Sequence, residues 1–301
     1  MNKTEIIPAG LPIAAVERDT GLLKDTLRVW ERRYGFPQPL RDANGERLYP
    51  PEQIARLRQI KRLIDQGMRP GKIFAADDAT LGEWLGKEES RQAAPAQCAE
   101  LIALLQAQRS EELRSALQQN LLRHGLQRFV VELVAPLNIE VGLAWLRGEI
   151  TVGEEHLYTE QLQNVLRGAV HALRIPGAQP RILLTTLPDE LHSLGLLMAE
   201  ALLVPEGAHC TSLGTQTPLG DIVSTATGGA FDIVALSFSP HYPARQAWAH
   251  LAELRRLLPA SIALWAGGRH LCERAPAIEG LRYLAEIDEV LIALEAWRAP
   301  A

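Results

Sequence analysis

From Arg181 onward the chain repeats one pattern: a short apolar run, a loop, then a longer stretch with helical spacing. Residues 181–187, 208–213, 232–237, 261–266 and 282–285 read as strands, with helices between them. Parallel neighbours need a crossover connection, usually a helix, so the alternation predicts a doubly wound parallel sheet of flavodoxin-like type. Such sheets bind ligands in the crevice beyond the carboxyl ends of their strands. The first strand-to-helix loop there reads Glu190-Leu191-His192-Ser193-Leu194-Gly195. An acid two residues before a histidine can hold one ring nitrogen and make the other more basic, as the partners of metal-bound histidines do. Gly195 lets the backbone approach a bulky ligand closely. Residues 214–218 follow the second strand and line the same crevice, whereas His241 and Tyr242, after the third, read as ordinary loop residues.

The length of 301 residues predicts two or three domains. Hydrophobic residues make up 47% and charged residues 22%, the balance of a soluble globular protein. No signal-peptide pattern and no uncharged apolar run of about 18 residues is seen, so a cytoplasmic protein without a membrane partner is expected. Cys98, Cys210 and Cys272 are scattered and read as reduced thiols. Charge is unevenly spread. Residues 1–75 hold 14 Lys and Arg against 9 Asp and Glu, a net of +5; the remainder holds 17 against 27, a net of −10. A basic head on an acidic body points to a head that binds nucleic acid.

The head, residues 1–75, has the pattern to do so. Residues 12–18 and 24–34 read as helices separated by a Thr20-Gly21 turn. On the second, Leu27, Trp30 and Tyr34 face inward, while Lys24, Arg28 and Arg32 form a cationic stripe. An apolar seam and a basic face are what a helix-turn-helix needs to reach the major groove. Asn44-Gly45 then signals a hairpin, with Arg47 and Tyr49 alternating onto one face of its second strand, as in a phosphate-holding wing. Residues 50–68 read as a helix buried through Ile54, Leu57, Ile60 and Ile64. Residues 76–94 read as a linker, polar at Asp77-Asp78 and Lys87-Glu88-Glu89-Ser90 but docked through Leu81, Trp84 and Leu85.

Between head and tail, residues 95–176 read as a four-helix bundle with helices at 96–108, 111–123, 127–147 and 152–174. Pro136 is expected to kink the third. Thr151-Val152-Gly153-Glu154 has the form of a capping box opening the fourth. Trp145 closes the third helix and Glu155-His156 opens the fourth, so the turn gathers them at one end of the bundle.

Three resemblances cover nearly the whole chain. The head, from Thr26 to Gly35 with Arg41 and Gly45-Glu46-Arg47-Leu48-Tyr49, resembles the winged-helix DNA-binding domain of the MerR family, which binds DNA as a dimer. The family implies DNA contacts from Arg28 and Arg32 on the recognition helix, with Lys24 in the same stripe, and from Arg47 and Tyr49 on the wing. The tail resembles cobalamin-binding domains with the signature D-x-H-x-x-G, here with Glu190 for the Asp. Forty-one residues separate Gly195 from Ser237-Phe238-Ser239, where the family has S-x-L, and 27 more precede Gly267-Gly268. This likeness implies His192 as the lower cobalt ligand and Glu190 as its orienter. Gly195, Ser237, Gly267 and Gly268 then serve the slot for the nucleotide tail, and Ser239 takes away an apolar wall contact. Trp145, nine intervening residues and Glu155-His156 resemble the W-x9-E-H motif of light-sensing cobalamin repressors of the CarH and LitR type, where they line the upper face of the cofactor. Leu146 stands where the best-studied light sensors carry a second cobalt-ligating histidine.

The chain is thus identified as similar to non-enzymatic MerR-type regulators. The resemblance implies a repressor that binds adenosylcobalamin in the dark, forms a dimer or tetramer on operator DNA and is released by light. A corrinoid-carrying methyltransferase component and a cobalamin-independent MerR-like regulator are the alternatives. The basic head argues against the first and His192 against the second.

Overall fold

The computed structural model describes residues 10–42, 44–65, 68–86, 95–175, 177–272 and 274–299. Ala43 of the wing turn, residues 66–67 at the end of the expected third helix, residues 87–94 of the linker and Pro176 lie outside the described residues. The chain forms two compact units, Met1–Ala94 with Ile139–His156, and Pro95–Asn138 with Leu157–Ala301. A division drawn along the sequence differs, because the turn joining the third and fourth bundle helices packs with the head.

In the first unit, β1 (Leu11–Pro12), β2 (Leu40–Arg41) and β3 (Arg47–Tyr49) form an antiparallel sheet in the order β1-β3-β2. Around it lie α1 (Ile13–Thr20), α2 (Lys24–Tyr34), α3 (Pro51–Asp65), α4 (Pro70–Phe74) and α5 (Asp78–Gly86). Gly21 ends α1 at φ 68°, a left-handed cap whose N–H reaches the Glu17 carbonyl. The wing turn closes as an Asx turn: Asp42 Oδ1 accepts from the amides of Asn44 and Glu46, and Gly45 takes φ 79°. Leu27 and Trp30 are buried as expected, with Ile54, Leu57 and Ile60 of α3; Leu63 is fully buried and Ile64 only partly. Leu81 and Trp84 of the linker do dock, completing this core on α5, and the Lys72 ammonium lies 5.0 Å from the Trp84 ring.

In the second unit, β4 (Arg181–Thr185), β5 (His209–Gly214), β6 (Ile233–Ser237), β7 (Ala263–Gly267) and β8 (Leu281–Leu284) form one parallel sheet in the order β5-β4-β6-β7-β8. Counted within the sheet this is the order 2-1-3-4-5, the doubly wound order whose switch point lies between its first and third strands. The connecting helices are α11 (Leu194–Leu203), α12 (Leu219–Gly228), α13 (Ala244–Leu257), α14 (Arg269–Cys272) and α15 (Glu289–Arg298). Helix α11 is buried at seven of its ten positions, because it is covered by the sheet on one side and by helices of the same unit on the other.

All four expected bundle helices form: α6 (Ala96–Gln106), α7 (Ser110–His124), a third from α8 (Leu126–Arg128) to α9 (Ala135–Leu146), and α10 (Val152–His171). Between α8 and α9 the third widens into a π-helical stretch, Phe129–Val134, just before Pro136. Pro136 has no N–H to return to the preceding turn and its ring crowds that turn, which the wider coil relieves. This third helix, Leu126–Leu146, is long and apolar enough to cross a membrane, and half of that window is buried inside the protein. The capping box is realised in both directions: the Glu154 amide donates to Thr151 Oγ1 at 3.2 Å and the Thr151 amide to Glu154 Oε2 at 2.7 Å. None of Cys98, Cys210 and Cys272 is joined in a disulfide among the described residues.

Candidate functional site

The loop after β4 and the end of β6 flank the switch point of the sheet, and the signature residues converge there. Glu190 is 1% exposed. Its Oε1 accepts the His192 amide at 2.9 Å and faces His192 Nδ1 at 2.6 Å. Its Oε2 accepts the Ser239 amide and the Ser239 hydroxyl, both at 2.8 Å. Burial pushes the Glu190 carboxyl up, but the donors from His192 and the Ser239 amide together outweigh it and hold it below its ordinary value. The buried end is therefore a carboxylate that can accept a hydrogen bond from Nδ1–H, in the tautomer that keeps the lone pair on Nε2. The His192 side chain is 54% exposed and its ring stacks against His241 at 5.3 Å between centroids.

The loop is fixed from below. Thr186 Oγ1 donates to the Glu190 carbonyl at 2.7 Å and accepts the Gln216 amide at 2.9 Å. Thr185 Oγ1 lies 2.7 Å from Thr217 Oγ1, so residues 214–218 line this crevice as expected. From the bundle, Gln163 of α10 reaches Ser193, beside His192, at 3.1 Å.

Gly195 and Gly268 sit at close contacts at this end of the sheet. An ideal Cβ at Gly195 would sit 2.1 Å from Ser237 Oγ and 3.2 Å from its Cβ, so any larger residue would force Ser237 to shift where α11 starts against the end of β6. Gly267 pairs in register with Ser237. Gly268 takes φ 150°, and a Cβ there would come within 2.8 Å of the Phe238 carbonyl. These residues fit a corrinoid. His192 offers one nitrogen donor, which suits a metal that arrives with its other ligands in place, and the glycines let the backbone of α11, β6 and the end of β7 approach closely beside it.

The second group of expected residues lies in the first unit. Trp145 and the pair Glu155-His156 flank the turn between α9 and α10, and Glu155 Oε2 lies 2.8 Å from His156 Nδ1. Leu146 is 4% exposed and belongs to the core. Arg58 of α3 is nearly buried and makes a two-pronged ion pair with Asp19, both contacts 2.9 Å. Its Nη1 also donates to the Trp145 carbonyl at 2.8 Å, and its guanidinium lies 4.6 Å from the centre of the Trp145 ring. Nothing in the sequence pattern singled out Arg58.

On the head, Arg28 and Arg32 are exposed along α2, with Arg28 paired to the exposed Asp25. Lys24 is half-exposed and held by Glu17 at 3.2 Å. The wing corrects the expected pair. Arg47 and Tyr49 do share a face of β3, but it is the inner one: Arg47 Nε is bonded to Glu31 at 2.9 Å and Tyr49 is completely buried. Tyr49 therefore packs in the core and is not available to DNA. Arg33 of α2 and Arg41 of the wing are exposed instead, and Arg41 donates to the Gly45 carbonyl at the hairpin tip at 2.7 Å.

Residues 11–76 match the MerR HTH family regulatory protein family, and residues 97–167 match a B12 binding domain family. Over 291 residues the chain is 30% identical to the HTH-type transcriptional repressor CarA of Myxococcus xanthus, covering 94% of this chain and 96% of that protein. The chain belongs to the MerR family of transcriptional regulators. Within it, this regulator is of the kind that carries a cobalamin-binding domain. It is also 29% identical over 267 residues to the HTH-type transcriptional repressor CarH of the same organism, covering 84% of this chain and 89% of the relative. Among solved structures, the monomethylamine corrinoid protein of Methanosarcina barkeri shares the fold, with a TM-score of 0.53 at 14% identity over 65% of this chain and 96% of its own.

Proposed function

We propose that this regulator is a repressor that uses cobalamin, adenosylcobalamin by preference, to control its assembly on operator DNA. The observation that carries the reading is the buried Glu190 carboxylate holding His192 Nδ1 at 2.6 Å at the switch point of the sheet, so that Nε2 is the nitrogen that would ligate. In this reading His192 is the lower axial ligand of cobalt and Glu190 orients it. Gly195, Ser237, Gly267 and Gly268 hold the nucleotide tail, and Trp145, Glu155 and His156 line the upper face. Bound adenosylcobalamin supplies a cobalt–carbon bond that light can break. The chain's own part would be to cover the cofactor and exclude water there with Trp145. Leu146 is packed in the core, so no second imidazole comes from that position.

Arg28 and Arg32 read the major groove, Arg33 and Arg41 add contacts to phosphate, and Lys24 and Arg47 are held back by Glu17 and Glu31. The protein binds DNA as a dimer or tetramer beside the chromosome, in the cytoplasm. Cofactor tightens DNA binding only as far as it prefers the assembled state, and assembly multiplies the DNA contacts. The DNA-binding head favours this reading over a corrinoid-carrying methyltransferase component.

The test is to add adenosylcobalamin to the purified protein in the dark, then record absorbance and solution mass before and after green light. A bound cofactor with imidazole on cobalt, and a dark oligomer that dissociates in light, is expected. Binding without a size change would remove the light switch from the proposal, and absence of binding would overturn it. His192→Ala is expected to abolish the imidazole-on spectrum while leaving DNA binding by the head intact.

A further inference from the structure

We infer that Ser239 is a positioning residue for His192, acting through Glu190, and that Glu190 and Ser239 form a coupled pair. The inference rests on the reading of His192 as an axial ligand to a corrinoid. In the sequence these two residues look like separate losses, one an acid lengthened by a methylene and the other an apolar wall residue replaced by a small polar one. In the structure they are the two ends of one contact.

A carboxylate offers about four lone-pair sites. Glu190 fills them with the amide and Nδ1 of His192 on one oxygen and the amide and hydroxyl of Ser239 on the other. At 1% exposure water cannot substitute for a missing donor, so each of the four contacts matters. Reach explains why the two residues go together. Glu190 spans from the loop after β4 to the residue just beyond β6, two elements separated by 49 positions in sequence. A carboxylate one methylene shorter loses roughly 1.3 Å of reach. Held at 2.6 Å from Nδ1, it would lie about 4 Å from the Ser239 donors, beyond hydrogen-bonding range. The serine hydroxyl thus has a partner only because residue 190 is Glu, and the longer Glu is held against rotation because residue 239 is Ser.

The test is a double-mutant cycle in the full chain. Affinity for adenosylcobalamin is measured in the dark, together with the fraction of bound cofactor that has imidazole on cobalt, read from absorbance and, after reduction to the Co(II) form, from the nitrogen splitting of its paramagnetic resonance. Ser239→Ala is expected to weaken binding about tenfold and lower the imidazole-on fraction, in line with the loss of partners behind metal-bound histidines. Ser239→Thr, which keeps the hydroxyl, is expected to stay within about twofold of the parent chain. In Glu190→Asp the further change Ser239→Ala is expected to have less than a twofold effect, and likewise in His192→Ala. Ser239→Cys, nearly isosteric but a weak donor, is carried alongside and should follow alanine, so a folding failure of one variant leaves the test standing. Melting of the cofactor-free variants serves as the fold control.

Unchanged affinity and spectrum in Ser239→Ala would overturn the inference. So would a full additional loss in the Glu190→Asp background, or an equal loss in the His192→Ala background, which would make Ser239 a direct contact to the cofactor. If the parent chain itself bound adenosylcobalamin without imidazole on cobalt, the reading of His192 would fall first and this inference with it.

Discussion

Gly195→Ala asks the structure to accommodate one methyl group where it has no room. The added Cβ would lie 2.1 Å from Ser237 Oγ and 3.2 Å from Ser237 Cβ. Rotation of the serine relieves the first contact, but the second persists because β6 is locked between β4 and β7. Overpacking of this kind costs about 1–3 kcal/mol. Near the start of α11 alanine returns part of this, since it outranks glycine in a helix by up to about 1 kcal/mol. A net loss of about 1–2 kcal/mol is expected, which in a unit of this size lowers the melting temperature by roughly 3–6 °C. The assay is thermal unfolding of the cofactor-free chain followed by near-UV circular dichroism, with cobalamin uptake measured in parallel. Adding Ser237→Ala to the Gly195→Ala variant removes only the oxygen that rotation already moves away, and is expected to recover little because the Cβ at 3.2 Å remains. If Gly195→Ala melts at the parent temperature, or Ser237→Ala recovers the whole loss, the Cβ contact at the switch point is not what requires glycine.

On the head, Arg28→Ala is expected to weaken operator binding and to flatten the dependence of log affinity on log salt by about one unit, with cofactor uptake unchanged. Tyr49→Phe is expected to leave DNA affinity within about twofold and to raise stability by about 1 kcal/mol, because the buried Tyr49 hydroxyl has no hydrogen-bond partner among the described residues; denaturant unfolding and a binding titration check both. In the tail, burial pushes the Glu200 carboxyl above its ordinary value against the pull of Arg174. The folded chain then binds a proton more tightly than the unfolded chain, so this residue subtracts stability as pH rises from the ordinary carboxylate value through the raised one. Glu200→Gln is expected to gain on the parent chain in urea midpoint as pH rises above the ordinary carboxylate value, and a constant difference would show that Arg174 cancels the burial.

The elements were legible because their signals are local. Alternating apolar runs located all five strands of the parallel sheet to within two residues, and the Thr151 to Glu154 spacing marked the start of α10. The convergence of Glu190 and His192 could also be read, since two residues on one loop stay close in any fold that keeps the loop. Three features escaped. Period-two alternation put Arg47 and Tyr49 on one face without saying which face was buried, and the sheet chose the inner one. Ser239 looked like a missing wall because its partner lies 49 residues away, and only the pairing of β4 with β6 brings the two together. Arg58 carried no sequence signal, because its partners, Asp19 and Trp145, lie 39 and 87 residues distant.

The Arg58 contact has a thermodynamic consequence. One guanidinium is shared between a carboxylate of the DNA-binding head and the ring and carbonyl of Trp145. It cannot leave Trp145 without losing hydrogen bonding at a nearly buried position. On the proposed reading, in which Trp145 covers the cofactor, a ligand pressing on Trp145 would work against the same contact that holds α3, and any free energy it contributed there would be exchanged in both directions. Whatever factor the ligand adds to operator affinity, operator DNA must add to ligand affinity. The chromosome would then act as an effector of the cofactor site, with bound and free regulator differing in how tightly they hold the same molecule.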